Sequence, residues 1–431
     1  MLLQAVAIWN LRFDYWSLYE LLCPPETYIS YGRAHLFTME SEPKISFEDT
    51  SVAFSYKSDA ELKKAHFIFS LVNHPWISSV ATGSVRWALK LGFPIESIIK
   101  KTVFYHFCGG ESIEKVKEAL DRLARYGIGT VLDYSVEGEK TEEGFEATTN
   151  ETIRTIEKAH QSKNLPFCVF KVTGIASTEL LEKIQNKEQL NSQEQLAFDN
   201  VQERVNRICA KAFEYKIPVL VDAEETWIQD PIDTLTYDMM KKYNSEKAIV
   251  FNTFQLYRTA SLQNLKNALQ TAERENYYVG AKLVRGAYME KERERAGKYG
   301  YASPIQPDKD ASDKAFNESL EFCVTNKNRM SVMCGSHNEY SNQYLTQLMA
   351  KNGVARNDER FWFAQLYGMS DNISFNLAKA GYRVAKYVPY GPVKSVMPYL
   401  LRRADENTSV AGQSSRELIL IRKELKRRKG K

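Results

Sequence analysis

Eight short apolar segments, each separated from the next by an amphipathic stretch, run through the sequence from residue 129 to residue 391. The short segments are rich in β-branched and aromatic residues, as strands are, and the stretches between them carry apolar residues at the three- and four-residue spacing of helices. The strand segments are GTVLDYS (129–135), FCVFKVTG (167–174), PVLVDAEE (218–225), AIVFNTFQLY (248–257), VGAKLVRGAY (279–288), SVMCGSHN (331–338), FWFAQLYG (361–368) and YRVAKYVPYG (382–391).

Strands that are apolar along most of their length need both faces buried, as in a parallel sheet covered by helices. Eight strand-then-helix units of this length match a (β/α)8 barrel. A doubly wound open sheet is the alternative, but such a sheet ordinarily carries a glycine-rich first turn. The sequence contains neither GxGxxG nor GxxxxGK[ST]. We therefore predict an α/β chain with a (β/α)8, TIM-type barrel over residues 127–412.

The segments that flank the predicted barrel differ in character. Residues 39–126 are predicted to form a helical N-terminal region, because residues 58–72, 78–92 and 112–127 show helical spacing and two of these segments end at a glycine. Residues 1–38 lack the basic start of a signal peptide and the arginine-rich composition of a transit peptide. We expect this N-terminal extension to be dispensable.

The C-terminal segment, residues 413–431, is a basic tail. Its last ten residues, RKELKRRKGK, hold seven Lys or Arg and one Glu. A solvated, frayed terminus is the interpretation that we favour. A helix that binds a membrane surface or a partner is the alternative, because the apolar residues LILI precede the basic run.

Composition narrows the class of protein. Lys and Arg number 58 and Asp and Glu 54, and no apolar run approaches the roughly 20 residues that cross a bilayer. The six cysteines are scattered and form no CxxC pair, which argues against a disulfide framework and a zinc site. The sequence predicts a soluble protein of a reducing compartment.

Polar side chains stand at the C-terminal ends of most predicted strands, where a (β/α)8 barrel holds its active site. Burying a charge without a partner costs several kcal/mol, so their convergence on one rim predicts a functional site. These residues are Lys171, Asp222, Glu224, Gln255, Arg285, Tyr288, His337, Asn338 and Tyr387.

The segment YLLRRADEN, residues 399–407, follows the last strand with helical spacing. Arg402 and Arg403 precede Glu406 by four and three residues, so on a helix the three side chains share one side. Two adjacent guanidinium groups can bind a carboxylate in bidentate fashion, and Lys171 adds a point charge. Together they predict a strongly cationic site for an anionic substrate or cofactor. The alternative is a surface ion pair worth about 0.3–0.5 kcal/mol.

The sequence lacks the residue patterns that several other chemistries require. Of the six histidines only His337 lies on the predicted rim, and no GxSxG elbow occurs. Neither a metal site nor nucleic-acid cleavage is predicted, because cations dominate the rim. A Schiff-base lyase or aldolase with Lys171 as its nucleophile stays open, as does a barrel that serves as a non-catalytic binding module.

The motifs VDAEET, VFNTFQLY, AKLVRGAYMEKER, GSHNE, YVPYGP and YLLRRADEN together resemble those of the proline dehydrogenase family, in order and over most of residues 50–412. The resemblance implies a distorted barrel that holds FAD at its rim. It implies oxidation of L-proline to Δ1-pyrroline-5-carboxylate by hydride transfer to flavin N5, with electrons passed to a membrane quinone. It further implies hand-off of the product to a separate pyrroline-5-carboxylate dehydrogenase. With the basic tail, we expect a cytoplasmic location with peripheral contact at the inner face of the membrane.

The resemblance also assigns roles to residues. The substrate-binding set is Lys171, Ala287, Tyr288, Leu366, Tyr387, Tyr399, Arg402 and Arg403. The cofactor-binding set is Asp222, Gln255, Lys282, Arg285, Gly286, Ala287, Ser336, His337 and Asn338. The catalytic set is Lys171, Asp222, Tyr288, Tyr387, Arg402, Arg403 and Glu406.

Two positions refine the resemblance. Many bacterial members carry arginine where this chain has Lys282, so the charge is kept but the bidentate fork is lost. Hydroxyproline dehydrogenases, which are close relatives, tend to have a smaller residue where this chain has Tyr387. Tyr387 therefore favours proline over hydroxyproline.

Overall fold

The computed structural model describes residues 45–72, 100–134, 140–397, 399–400 and 413–430. Within these ranges eight parallel strands follow one another around a closed barrel, and the last pairs with the first. The predicted (β/α)8 barrel is confirmed. The strands are β1 (Ile128–Tyr134), β2 (Phe167–Lys171), β3 (Val219–Asp222), β4 (Val250–Gln255), β5 (Val279–Val284), β6 (Met330–Gly335), β7 (Phe361–Leu366) and β8 (Val384–Tyr390).

Several strands end earlier than the apolar segments that predicted them. β2 ends at Lys171, and Val172–Gly174 forms a 3-10 turn. β3 ends at Asp222 and β5 at Val284. In each case the chain leaves the sheet where its residues turn polar, because side chains at the barrel mouth meet solvent or a ligand. The polar residues of the motifs therefore occupy the last strand positions and the loops that follow.

Helices cover the outside of the barrel, and further helices precede its first strand. Before the barrel come α1 (Thr50–Ala53), α2 (Asp59–Val72), a π-helical turn (Lys100–Phe104), α3 (Tyr105–Phe107) and α4 (Lys117–Ala124). The barrel helices are α5 (Glu142–His160), α6 (Thr178–Gln185), α7 (Ser192–Tyr215), α8 (Thr226–Tyr243), α9 (Ser261–Glu275), α10 (Met289–Tyr299), α11 (Lys309–Thr325), α12 (Glu339–Lys351) and α13 (Asp371–Lys379). Residues 393–397 and 399–400 are helical, and α14 (Gln413–Lys429) ends the chain.

Two apolar cores hold the barrel. The outer core lies between the strands and the helices and includes Leu132, Cys168, Val221 and Leu283. A smaller core fills the barrel interior and is closed towards the mouth by Tyr387. Its buried members are Val131, Phe167, Val169, Leu220, Ala248, Phe251, Met333, Ala364, Ala385 and Tyr387.

The N-terminal region is helical only in part. Of the predicted helix 112–127 only Lys117–Ala124 is helical. The chain just before it is fixed to β8, where the Gly109 amide donates to the Pro389 carbonyl at 2.9 Å. A β-carbon on Gly109 would lie 2.4 Å from a Val388 methyl group, so this close approach requires glycine. The predicted extension 1–38 and helix 78–92 lie outside the described residues.

The C-terminal segment is not a frayed terminus, so the interpretation that we favoured is wrong. Its helix α14 packs against α2. Leu418, Leu420 and Ile421 are at most 4% exposed. Arg428 donates to the Phe54 carbonyl at 2.8 Å. Three of the four LILI residues, Leu418, Leu420 and Ile421, belong to the buried face, whereas Ile419 is 56% exposed. No described helix combines the length and apolar composition that a bilayer crossing requires.

Candidate active site

A cavity of about 640 Å³ opens at the C-terminal ends of the barrel strands. Cavities of about 300–1,000 Å³ are typical of small-molecule and cofactor sites. Every described residue to which the resemblance assigns a role lines this cavity, whereas Glu224, which the strand pattern placed on the rim, does not. Arg402, Arg403 and Glu406 lie outside the described residues. The fourteen lining residues from the prediction are Lys171, Asp222, Gln255, Lys282, Arg285, Gly286, Ala287, Tyr288, Ser336, His337, Asn338, Leu366, Tyr387 and Tyr399.

Strand register brings two lysines to one carboxylate at the base of the cavity. Lys171 on β2 is the register partner of Asp222 on β3, so both side chains point to the same face. The Lys171 Nζ lies 2.7 Å from Asp222 Oδ2, and the Lys282 Nζ lies 2.5 Å from Asp222 Oδ1. Asp222 thus uses both carboxylate oxygens to hold ammonium groups from two different strands.

The positive charges of the two lysines keep the Asp222 carboxylate ionised. Burial alone would raise the pKa of Asp222, but the ammonium groups of Lys171 and Lys282 lower that pKa to about 2. Burial lowers the pKa of Lys282, and the Asp222 carboxylate opposes that shift. At neutral pH, Asp222 is a fixed negative charge and a poor proton acceptor.

Tyr387 forms the wall above this cluster. The Lys282 Nζ lies 4.4 Å from the centre of its ring, which is cation–π distance. Burial, together with the Asp222 charge, holds the pKa of Tyr387 well above its usual range. Its buried hydroxyl has no hydrogen-bond partner among the described residues. Because buried hydroxyls are seldom left unpaired, this group indicates a ligand in the cavity.

Arg285 is already committed to protein partners. Its Nε lies 2.6 Å from Asp313 Oδ1, and its two terminal nitrogens donate to Ser336 Oγ and Ser341 Oγ at 2.9 and 3.0 Å. The guanidinium carbon lies 4.5 Å from the centre of the Phe316 ring. Arg285 therefore braces the loop after β6, and any contact with a cofactor is additional to these bonds.

Gly286, next to Arg285, has a backbone that only glycine adopts without strain. Its φ is +139°, and a β-carbon there would lie 1.8 Å from the Tyr257 ring. We expect Gly286→Ala to destabilise the fold by about 2–5 kcal/mol, combining backbone strain and steric overlap. Thermal unfolding would measure the loss.

Gly297 provides a matched control, since it lies in α10 with no atom within 4 Å of an added β-carbon. Gly297→Ala should leave stability unchanged or raise it slightly, by up to about 1 kcal/mol, because alanine favours helix. A Gly286→Ala variant as stable as the Gly297→Ala variant would contradict this account of the loop.

Polar contacts also order the rim near the loops after β4 and β6. The Gln255 side-chain amide donates to the Glu224 carbonyl at 2.7 Å. His337 Nδ1 lies 2.9 Å from Ser370 Oγ. Asn338 caps α12, where its side chain accepts from the Ser341 amide. These residues face the cavity in orientations fixed by the protein.

The charges in the described part of the cavity are nearly balanced, and Arg402 and Arg403, on which the predicted excess of positive charge depended, lie outside the described residues. The five basic side chains of the cavity face four acidic ones, because carboxylates that the sequence analysis had not assigned to the site sit beside the lysines and arginines. The basic residues are Lys171, Lys282, Arg285, Lys309 and Arg416, and the acidic ones are Asp133, Asp222, Glu339 and Glu417.

Sequence analysis missed part of the site. Asp133 carried a usable signal, since it lies near the end of β1. Glu224 was predicted on the rim but is buried and does not line the cavity; its carboxylate accepts from the Thr173 amide at 3.0 Å and from the Thr173 hydroxyl at 2.5 Å. Burial raises the pKa of Glu224 to about 7. Arg416 and Glu417 had no local signal, because the helix that carries them reaches the rim only through tertiary packing.

Within the described ranges, no group of three histidine, cysteine, aspartate or glutamate residues could hold a metal ion. The five described cysteines are buried free thiols. The polar chemistry of the cavity therefore rests on the lysine, arginine, carboxylate, amide and hydroxyl groups described above.

Comparison with known proteins finds one family. The model of a family described as proline dehydrogenase matches residues 116–416. Proline dehydrogenase 1, mitochondrial, from Dictyostelium discoideum is 32% identical, and the match covers 88% of this chain and 74% of that protein. Hydroxyproline dehydrogenase from Xenopus laevis is also 32% identical, with 90% of this chain and 91% of that protein covered.

A solved structure shares the fold. The match is to proline utilization A (PutA) from Bdellovibrio bacteriovorus, inactivated by N-propargylglycine, with a TM-score of 0.64 and 19% identity. It covers 85% of this chain but 37% of the PutA chain. The chain thus spans little more than a third of the length of that solved protein.

Proposed function

This chain is a member of the proline dehydrogenase family, and we propose that it oxidises L-proline to Δ1-pyrroline-5-carboxylate with FAD as its cofactor. The observation that carries the proposal is the cavity at the barrel mouth, where all fourteen described residues of the predicted site meet. The reaction is the first step of proline catabolism in this family.

The residues present fit a flavin. The cavity combines a deep end, where Tyr387 keeps an unpaired buried hydroxyl, with a polar rim at Gln255 and residues 336–338. We propose that Asp222, Gln255 and Lys282 hold the isoalloxazine end, and that Ser336, His337 and Asn338 hold the adenosine end. FAD, when bound, supplies the two-electron acceptor at N5 for the hydride that leaves C5 of proline.

The same cavity offers groups for an imino acid. Lys171 is one of the cations that line the cavity, and its Nζ lies 2.7 Å from Asp222 Oδ2. We propose that Lys171, Arg402 and Arg403 bind the proline carboxylate, and that Glu406 holds the arginines in place. The pyrrolidine ring would pack on a wall in which the three tyrosines are buried, made of Ala287, Tyr288, Leu366, Tyr387 and Tyr399.

Asp222, the carboxylate at the base of the described cavity, does not act as the base in this scheme. The substrate amine must be neutral before a hydride can leave the neighbouring carbon, since the product iminium is already cationic. With a pKa of about 2, Asp222 cannot take that proton at neutral pH. The amine therefore loses its proton to solvent, and the protein contributes orientation and exclusion of water.

Electrons leave the enzyme, we propose, to a quinone at the membrane, which requires peripheral contact with the membrane surface. The basic side chains of α14, including Lys426 and Lys429, provide a surface for anionic lipid. A separate pyrroline-5-carboxylate dehydrogenase would then take up the product.

Turnover measurements on the purified chain test the proposal. L-Proline should reduce an artificial dye at a rate that saturates, D-proline should not, and the flavin released by denaturation should be FAD. Absence of turnover from a protein that contains flavin would contradict the substrate assignment.

Hydroxyproline dehydrogenase is the second candidate, because the Xenopus laevis relative of that name matches over nearly its whole length. The bulk of Tyr387, which fills the cavity wall, favours proline. The ratio of kcat/KM for L-proline and for trans-4-hydroxy-L-proline decides between the two, and a ratio below one would replace the first candidate with the second.

A further inference from the structure

The C-terminal helix contributes to the cavity although the family match stops near its start. That match ends at residue 416, and α14 runs to Lys429. Arg416 and Glu417 nevertheless line the cavity. Arg416 pairs with Glu339, Nε to Oε1, at 2.8 Å. Glu417 is 5% exposed, so its carboxyl group is enclosed between α14 and the barrel.

Glu417 holds a strained residue of the cavity wall. Ser370, in the loop between β7 and α13, has a φ of +50°, which is disfavoured for a residue with a β-carbon. Its backbone N–H donates to the Glu417 carboxylate. Its side-chain oxygen lies 2.9 Å from His337 Nδ1. A chain of two contacts therefore runs from α14 through Ser370 to His337.

The residues on either side of Ser370 are fixed by other elements. The Met369 carbonyl accepts from Lys386 Nζ at 2.5 Å. The Asp371 carboxylate accepts from Tyr56 and Lys57 at 2.8 and 2.7 Å. With these neighbours held, loss of the Glu417 contact would act mainly on Ser370, whose conformation is the least favourable of the three.

The charges around Glu417 allow it to bind the Ser370 amide in either protonation state. Lys57 and Lys386 favour the charged form of Glu417, and Asp371 favours the neutral form. Burial raises the pKa of Glu417 to about 7, with Asp371 adding to the shift and the Ser370 amide and the lysines opposing it. A neutral side chain with a carbonyl oxygen should therefore replace Glu417 with little loss.

We infer that Glu417 is a positioning residue for the cofactor: it fixes Ser370, and through Ser370 it fixes His337, in the part of the wall that faces the adenosine half of FAD. This inference rests on the proposed function, which places His337 beside the adenosine half. Its consequence is that α14, outside the family match, sets the affinity for FAD while the isoalloxazine end of the site stays intact.

Dissociation constants of FAD and of FMN for the full chain test this inference, because FMN lacks the adenosine half. Glu417→Ala should weaken FAD binding about tenfold, since it removes the hydrogen bond to the Ser370 amide that orders the wall. The dissociation constant of FMN should change by less than about threefold, which is the usual scatter for a substitution far from the ligand. Glu417→Gln, which keeps an acceptor oxygen, should restore FAD affinity.

Glu424 gives the matched control. It is a second buried glutamate of α14, but its partners are Arg427 and Arg428 on the same helix and Thr50 on α1, and it does not line the cavity. Glu424→Ala should leave the FAD constant unchanged. An equal loss of FAD affinity in both alanine variants would mean that docking of α14 as a whole is responsible and would overturn the role of Glu417.

A second variant keeps the test open if Glu417→Ala does not fold. Ser370→Ala removes the contact with His337 without touching α14, and it should weaken FAD but not FMN. Unchanged FAD affinity in Ser370→Ala, or equal loss of FAD and FMN in Glu417→Ala, would overturn the inference. A wild-type chain that binds no flavin would instead overturn the proposed function itself.

Discussion

Replacing Asp222 with alanine is expected to destabilise the protein by about 3–5 kcal/mol, because it leaves two lysines at the cavity base without their shared partner. Lys282 is 6% exposed, and burial already lowers its pKa. Lys171 would lose the bond that holds it at 2.7 Å. We expect loss of bound flavin and a fall in kcat/KM for L-proline of about a hundredfold or more.

A double variant separates charge from shape in this cluster. Asp222→Asn has nearly the same volume but leaves both ammonium groups unbalanced, and it should lose most of the same stability. Adding Lys282→Met removes one of the two positive charges, so the double variant should recover part of the loss. Thermal unfolding of the four proteins measures the coupling. Additive effects would show that the three side chains act independently and would contradict the cluster.

Replacing Arg403 with methionine is expected to raise the KM for L-proline about thirtyfold or more, because loss of a charged contact to a buried carboxylate costs about 2–5 kcal/mol. Arg403 lies outside the described residues, and its role is the one that the resemblance of YLLRRADEN to the family motif implies. Tyr399 lines the cavity, and Arg402 and Arg403 follow it by three and four residues. Helical spacing would turn all three side chains to one side.

Substrate choice provides the control for this second variant. Pyrrolidine has the ring of proline but no carboxylate, so its slow turnover should be the same in wild type and in Arg403→Met. Arg403→Lys keeps the charge but loses the bidentate fork, and its KM should lie between the two. An unchanged KM for L-proline in Arg403→Met would remove Arg403 from the carboxylate site.

The barrel could be predicted from the sequence because its strands are buried on both faces. VDAEE and AKLVRGAY mark the change from apolar strand to polar mouth, and the observed ends at Asp222 and Val284 fall within these motifs. The strand starts were predicted within about two residues. The ends were less exact, because apolar character continues into loops such as Val172–Gly174 that leave the sheet.

The composition of the cavity could be predicted, but its pairings could not. The fourteen described residues that were named meet in one place, since strand ends of a parallel barrel share one rim. The partner of Arg285 is Asp313, on the helix α11 rather than at a strand end. No local pattern reveals that contact, so the sequence could not show how the charges of the cavity are paired.

The C-terminal segment shows how a strong local signal can mislead. Seven basic residues among the last ten suggested solvation. Three residues of LILI, Leu418, Leu420 and Ile421, are buried where α14 packs against α2, and Glu417 and Glu424 are buried with them. Amphipathic spacing was visible, but the surface that it packs against lies more than 340 residues earlier in the chain.

The visible spectrum of the purified chain, recorded without oxygen before and after addition of L-proline, tests the central claim most directly. We expect a yellow protein. Its flavin absorption band in the blue should disappear when L-proline is added and persist when D-proline is added. A colourless protein, or one whose absorption L-proline leaves unchanged, would contradict the account. If borohydride then trapped a carbonyl compound on Lys171, Schiff-base chemistry would take its place.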